Sequence, residues 1–176
     1  MSSKIEMLPT DGEERRLKIE SFITAYEIPD GPAGTDMGDY EEDMFRGAGD
    51  DGDGTQKLEI ITPAKVCEKN GRVTINYDDS EILGNPKSPT QVMFTLDEPG
   101  VVTVIRSGAF SSMFIVEEGR HNSGEYKMGP YVLPVAVYGR RVKNSVVGGV
   151  GTIELDFTVE LNGSDTQRTR MKFTLS

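Results

Sequence analysis

The sequence has no tryptophan, one histidine and one cysteine among 176 residues, and each shortage removes a class of chemistry. A lone Cys67 cannot form an intrachain disulfide, which favours a reducing setting. His121 is the only imidazole, so a Ser-His-Asp or Cys-His mechanism would have to pass through it. It sits in the turn-like stretch GRHNSG, where an exposed side chain is expected. One histidine and one cysteine are too few for a structural zinc site, and Cys67, out of phase with the apolar Val66, reads as an inert thiol. No run of eighteen apolar residues exists to span a membrane as a helix. The opening MSSKIEMLPTDGEERR lacks the apolar stretch of a secretory signal. The expectation is a cytoplasmic protein with no membrane span, no metal, no cofactor and no catalytic residues.

Basic residues are also scarce, in one place above all. Residues 27 to 55, EIPDGPAGTDMGDYEEDMFRGAGDDGDGT, hold ten acidic residues and one basic, Arg46. Outside them 19 acidic and 18 basic residues remain, so nearly all of the net charge of −10 belongs to this insertion. It is rich in glycine and poor in apolar material, a composition that cannot offset its own ordering entropy, and residues 30 to 54 are expected outside the main wall. Tyr40, Met44 and Phe45 are the exceptions, the residues expected to anchor its middle to the core. Nucleic acid is excluded as a partner, because phosphate would be repelled. Within the insertion, GAGDDGDGTQKLE invites a calcium-loop reading. Placing Gly54 sixth leaves Gly49 at the first ligand position and Ile60 at the bidentate one, so the pattern fails.

What is abundant is alternation with a period of two. Leu17, Ile19, Ser21 and Ile23 share one face of a first strand. KVCEKNGRVTINY predicts a hairpin, with Asn70-Gly71 supplying the positive-φ residues of a type I′ turn and Val66 opposite Ile75, Cys67 opposite Thr74 and Ala64 opposite Tyr77. Val92, Phe94 and Leu96 alternate against Val102, Val104 and Arg106 across Glu98-Pro99-Gly100. TIELDFTVEL and the segment after Asn162-Gly163-Ser164 predict a second hairpin with Leu155 opposite Met171 and Ile153 opposite Phe173. The same register sets Glu154 against Lys172 and Asp156 against Arg170, complementary pairs on the outer face. Gly148-Gly149-Val150-Gly151 lacks the Gly-Lys-Ser/Thr ending of a phosphate loop and reads as a strand connection. Neighbouring carboxylates such as Glu117-Glu118 and Asp78-Asp79 point to opposite faces and read as solvated. Nine or ten short strands without a helical pattern imply an all-β fold, a single antiparallel meander over residues 1 to 176. Closure into a barrel is the preferred form because it removes exposed edges.

YDDSEILG (77 to 84), VIRSGAFSSMFIVEEG (104 to 119), EYKMGPYVLPVAVY (125 to 138) and IELDFTVELNG (153 to 163) resemble the uncharacterised YwiB-like family of bacterial proteins. Tyr77 and Glu81 match its Tyr-x-x-x-Glu step, Arg106 its arginine before a glycine, and Tyr126 its tyrosine ahead of a Gly/Pro turn. Met128 stands where that family favours threonine, and the acidic insertion replaces a short link between the first two strands. The resemblance implies a calycin-type, lipocalin-like barrel of eight to ten strands and implies no activity.

One charge sits on an apolar face. Arg106 shares parity with Val102 and Val104, and a buried guanidinium requires a partner. Glu81 is the family-matched carboxylate, and Tyr77, Tyr126 and Tyr138 are candidate hydroxyls. Two readings follow. In one, the barrel binds a small apolar or anionic, amphiphilic ligand in its interior, with Arg106 as the anchor for an anionic group. In the other, Arg106 and Glu81 form a structural plug, and a filled barrel presents its acidic insertion to a basic protein partner.

Overall fold

The alternating segments become ten antiparallel strands in the computed structural model, which describes residues 12–25, 54–78, 89–108, 110–161 and 164–176. In chain order they are β1 (Glu13–Ala25), β2 (Thr55–Lys69), β3 (Arg72–Asp78), β4 (Pro89–Thr95), β5 (Val101–Arg106), β6 (Phe110–Glu117), β7 (His121–Met128), β8 (Tyr131–Asn144), β9 (Gly151–Leu161) and β10 (Ser164–Leu175). Each pairs with the next, and β1 pairs with β10, so the meander closes into a barrel. The ladder from Leu17 opposite Leu175 to Ala25 opposite Gln167 joins the two ends of the wall. Among the described strands no edge is left for pairing with another chain. Among the described residues no helix is long and apolar enough to cross a membrane.

Both hairpin registers follow from the pattern. Val66 faces Ile75 and Cys67 faces Thr74. Asn70 and Gly71 adopt φ of 53° and 74°, the left-handed pair that a type I′ turn requires. That ladder starts at Lys65 opposite Asn76, one step short of the expected Ala64–Tyr77 pair. Leu155 faces Met171 and Ile153 faces Phe173. The route into the second register differs from the three-residue loop. Leu161 pairs with Ser164 across two residues, and a bulge between Asp165 and Gln167 adds the missing step. A two-residue turn plus one bulged residue gives the same parity as a three-residue loop.

The inward face is apolar and full. Among the described residues twenty-three buried hydrophobic side chains form one cluster. Leu17, Ile75, Val92, Val102, Val116, Val137, Ile153 and Phe173 have no accessible surface at all, and a side chain facing a void large enough for water would have some. Rings meet across the lumen: Tyr77 of β3 lies 6.4 Å from Phe173 of β10, and Phe114 of β6 lies 5.9 Å from Phe157 of β9. The described part of the lumen is therefore a packed core.

The outward face of β1, β2, β9 and β10 is charged. Lys18 Nζ lies 3.2 Å from Glu20 and 3.4 Å from Glu59. The hydrogen bond to Glu20 is the main cause holding the Lys18 pKa above its ordinary value. Glu154 meets Lys172 at 3.8 Å as the register predicts. Asp156 does stand opposite Arg170, but its carboxylate is taken by Arg168, with Nε–Oδ1 at 3.0 Å and Nη2–Oδ2 at 2.7 Å. The forked guanidinium one diagonal step away makes both bonds, while Arg170 lies 5.4 Å from the centre of the Phe22 ring.

Alternation of strand direction sorts the connections to two ends. Short turns at 70–71, 96–100, 118–120 and 145–150 lie at one end. The strand ends that 26–54, 79–88, 107–109, 129–130 and 162–163 join lie at the other, called the rim below. Most of the acidic insertion, including the stretch 47–53, and Glu81 lie outside the described residues. The strands flanking the insertion are in register up to Thr24 opposite Thr55, whose hydroxyls are 3.0 Å apart. Deleting residues 30–54 would leave a five-residue hairpin loop there, a length such hairpins accept. The expected result is a circular-dichroism melt within a few degrees of the full chain, because the closure entropy changes slowly with loop length. A collapse of the transition would show the deleted segment to be part of the core.

Candidate functional site

Arg106 is the last residue of β5, two positions after buried Val104 and four after buried Val102. Partners directly opposite in a ladder share a face, so its surroundings follow from the register. Thr90 of β4 stands opposite on one side and Ser112 of β6 on the other. Thr90 is opposite Tyr77 of β3, Ser112 is opposite Tyr126 of β7, and Tyr126 is opposite Leu133 of β8. Tyr77, Thr90, Arg106, Ser112 and Tyr126 thus make one cross-strand row on the inner face, each within two residues of its strand's rim end.

The row is graded in burial. Thr90 and Tyr77 are buried, at 1% and 6% exposure, while Arg106, Ser112 and Tyr126 are half-buried. Beneath it, Ile75, Val92, Val104 and Phe114 form the next inward row. Phe114 meets the Tyr126 ring edge-on at 5.1 Å, a geometry that fixes the tyrosine. Tyr77, Thr90, Arg106 and Tyr126 are each engaged in further contacts. Arg106 therefore has the inward direction that its parity predicts, with two of the three expected tyrosines in its row. The partnership with Glu81 falls outside the described residues.

Tyr138 belongs elsewhere. Val135, Val137 and Gly139 are the buried positions of β8, so Tyr138 is on the outer wall by parity. Its ring stacks on His121 at 4.6 Å between centroids, directly opposite in the ladder. Its placement among the inner hydroxyls is thereby corrected. His121 begins β7, its side chain is 59% exposed, and its Nε2 lies 3.1 Å from Glu160 Oε1. Cys67 is half-buried on β2, on the face opposite Val66. Among the described residues no group of three or more His, Cys, Asp and Glu side chains is placed to hold a metal ion.

Several inward polar residues escaped the sequence reading, Thr90, Ser112 and Arg15 among them. Thr90 and Ser112 precede Val92 and Phe114 by two positions, so parity alone could have found them. Arg15 precedes Leu17 by two and stands opposite buried Ala64. It lies half-buried at the turn end of the inner face, paired with the exposed Glu13. The β8–β9 turn lies against it, since a side chain on Gly149 would come within 3.3 Å of Arg15 Nε. The ion pair at a barrel end assigned in the sequence to Arg106 has this counterpart at the opposite end. Glu118 also differs from expectation: its carboxylate accepts a hydrogen bond from the Val142 amide at 3.1 Å.

Residues 45–173 match the family described as a domain of unknown function, DUF1934. Among solved structures, the crystal structure of the ywiB protein from Bacillus subtilis matches with a TM-score of 0.62 at 17% identity, over 93% of this chain and 92% of that one. An identity this low speaks for the fold. The resemblance to YwiB-like proteins seen in residues 77 to 84, 104 to 119, 125 to 138 and 153 to 163 is thereby borne out. Comparison with curated proteins gives no match.

Proposed function

This chain belongs to the DUF1934 family, a premise that supplies a barrel and no activity, and from it we propose a non-catalytic binding module that holds a small anionic molecule at the rim of its barrel. The observation that carries the reading is Arg106, an inward guanidinium in a row with Tyr77, Thr90, Ser112 and Tyr126 above a filled core. Few polar groups converging on an otherwise apolar concavity are what fixes a ligand's orientation. A guanidinium presents a planar fork of donors suited to a carboxylate or phosphate. The packed lumen moves the site from the depth of the barrel to its rim. A non-catalytic role is favoured because His121 and Cys67 both stand on the outer wall, on non-adjacent strands.

Native mass spectrometry of gently purified full-length protein tests this reading. A retained adduct is expected, and Arg106→Gln should lose it while keeping a cooperative melt. An adduct equally abundant in the variant would place the ligand elsewhere.

The filled lumen also favours a second reading, in which the barrel is a scaffold and the acidic residues 27 to 55 engage a basic partner. The chain leaves the wall at Ala25 and returns at Thr55, so such a partner would meet the rim. Binding of a lysine-rich peptide that weakens with salt and disappears on deletion of 30–54, with no adduct at Arg106, would favour this alternative.

A further inference from the structure

On β3, β4, β5 and β10 the inner face turns from apolar to polar toward the rim. On β4 the inward residues run Phe94, Val92, Thr90; on β5 Val102, Val104, Arg106; on β6 Val116, Phe114, Ser112. β4 and β5 are apolar toward the turn end and polar in their inward residue nearest the rim; on β6 Ser112 stands one inward position short of Phe110 at the rim end. β3 matches β4 and β5, passing from Ile75 to Tyr77. On β10 the inward series passes from Phe173 through Met171 to Thr169 and Gln167, and the last two are joined by a hydrogen bond of 2.8 Å. β1 contributes Ser21, buried at 3% among the inward positions. A barrel built to take a hydrocarbon chain would need the opposite, an apolar channel continuing inward with space in it. Here Val92 and Val102 have no accessible surface and Val104 and Phe114 keep only 8% each, so the described residues beneath Arg106 leave little opening for a tail.

We infer that the anion held at Arg106 is short and hydroxylated, of the hydroxy-acid or sugar-acid type, and is not a long-chain fatty acid. The inference depends on the rim-binding reading above and narrows it. Thr90 and Ser112 flank the guanidinium on the two adjacent strands, at the roughly 5 Å Cβ spacing of directly opposed residues. A carboxylate on Arg106 would therefore carry its neighbouring carbons past the Ser112 and Tyr126 hydroxyls on one side. A ligand hydroxyl can exchange hydrogen bonds there. A methylene in its place leaves those groups unmatched, which is the larger source of discrimination in sites of this kind. Tyr77, Thr90, Arg106 and Tyr126 are already held by other contacts, so the row is set before a ligand arrives and little ordering is left to oppose binding.

Titration calorimetry on the full chain with three carboxylates decides the matter: gluconate, hexanoate with the same number of carbons and no hydroxyls, and laurate. Gluconate should bind at least about tenfold more tightly than hexanoate, and laurate should add nothing for its extra length. Ser112→Ala, a conservative change at a half-buried position, should weaken gluconate several-fold and leave hexanoate unchanged. Arg106→Gln should abolish both. If hexanoate or laurate binds as tightly as gluconate and Arg106→Gln removes that binding, the hydroxylated class is wrong and the rim site stands. If none of the three binds and no adduct is retained in native mass spectrometry, the rim site itself is overturned.

Discussion

Phe173→Ala is expected to destabilise the protein by about 3 to 5 kcal/mol, a fall in melting temperature of roughly 10 °C for a chain of this length. Phe173 has no accessible surface, stands opposite Ile19 on β1 and Ile153 on β9, and reaches across the lumen to Tyr77. Removing the ring deletes its transfer free energy and leaves a hole. The size of the second term depends on how far the surroundings can collapse. Here they are side chains fixed to a wall closed by hydrogen bonds all the way round, which cannot contract locally without breaking a ladder. The upper end of the range is therefore expected. Phe173→Leu, which keeps most of the volume, should cost less than about 1.5 kcal/mol. Denaturant unfolding followed by circular dichroism measures both. A loss below about 1 kcal/mol for the alanine variant would mean that the lumen is not packed as described.

Much of this core was legible before any coordinates. Strict parity places Leu17, Ile19, Val102, Val104, Leu155 and Phe173 inside, and a one-residue slip would have turned every one of them to water. Asn70-Gly71 and the complementary charges of β9 and β10 then select single registers, because turn chemistry and cross-strand charge are local properties that the sequence states directly. Arg106 obeys the same rule, and parity with Val92, Phe114 and Leu17 turns Thr90, Ser112 and Arg15 inward just as directly. Tyr138 is out of phase with Val135 and Val137, and that parity sets it on the outer wall. The partner of Asp156 is a different case. Arg168 and Arg170 are both within reach of that carboxylate, and side-chain geometry decides between them by small differences that spacing does not encode.

Bulges are the other thing that alternation hides. β8 changes register between Gly139 and Arg141, so its inward positions run Val135, Val137, Gly139 and then Val142. A pattern search that holds one parity through YVLPVAVYGRRV loses the strand at Gly139. What makes the bulge intelligible is the approach of another strand. The β6–β7 ladder runs only from Phe110 opposite Met128 to Met113 opposite Glu125. Beyond it the backbone of Gly139 lies against the connection from Glu117 to Arg120: the Gly119 amide donates to the Gly139 carbonyl at 2.8 Å, and the Gly139 amide donates to the Arg120 carbonyl at 3.0 Å. The Glu118 carboxylate then accepts from the Val142 amide just past the bulge. The residue that sequence periodicity cannot explain is the one that three strands share.

Gly139→Ala should accordingly be the most damaging of the glycine substitutions among the described residues. A Cβ at this position would lie 2.0 Å from the Glu117 carbonyl oxygen and 2.6 Å from its carbon, and both are backbone atoms that no rotamer change can move. Relief requires pulling β8 away from the β6–β7 turn, which sacrifices the two amide–carbonyl bonds as well. Overpacking of about 1 to 3 kcal/mol, added to two lost hydrogen bonds of roughly 1 kcal/mol each, gives a destabilisation on the order of 3 to 5 kcal/mol. Two controls separate space from conformation. Gly71 has open space around it but a φ of 74°, so Gly71→Ala should cost about 1 kcal/mol through backbone strain alone. Gly100 has open space and no left-handed φ, so Gly100→Ala should stay within about 0.5 kcal/mol of the parent. The order of unfolding midpoints, Gly139→Ala lowest and Gly100→Ala highest, tests the close approach directly. If the Gly139 and Gly100 variants unfolded at the same denaturant concentration, β8 would not lie against the Glu117–Arg120 turn, and the bulge would need another cause.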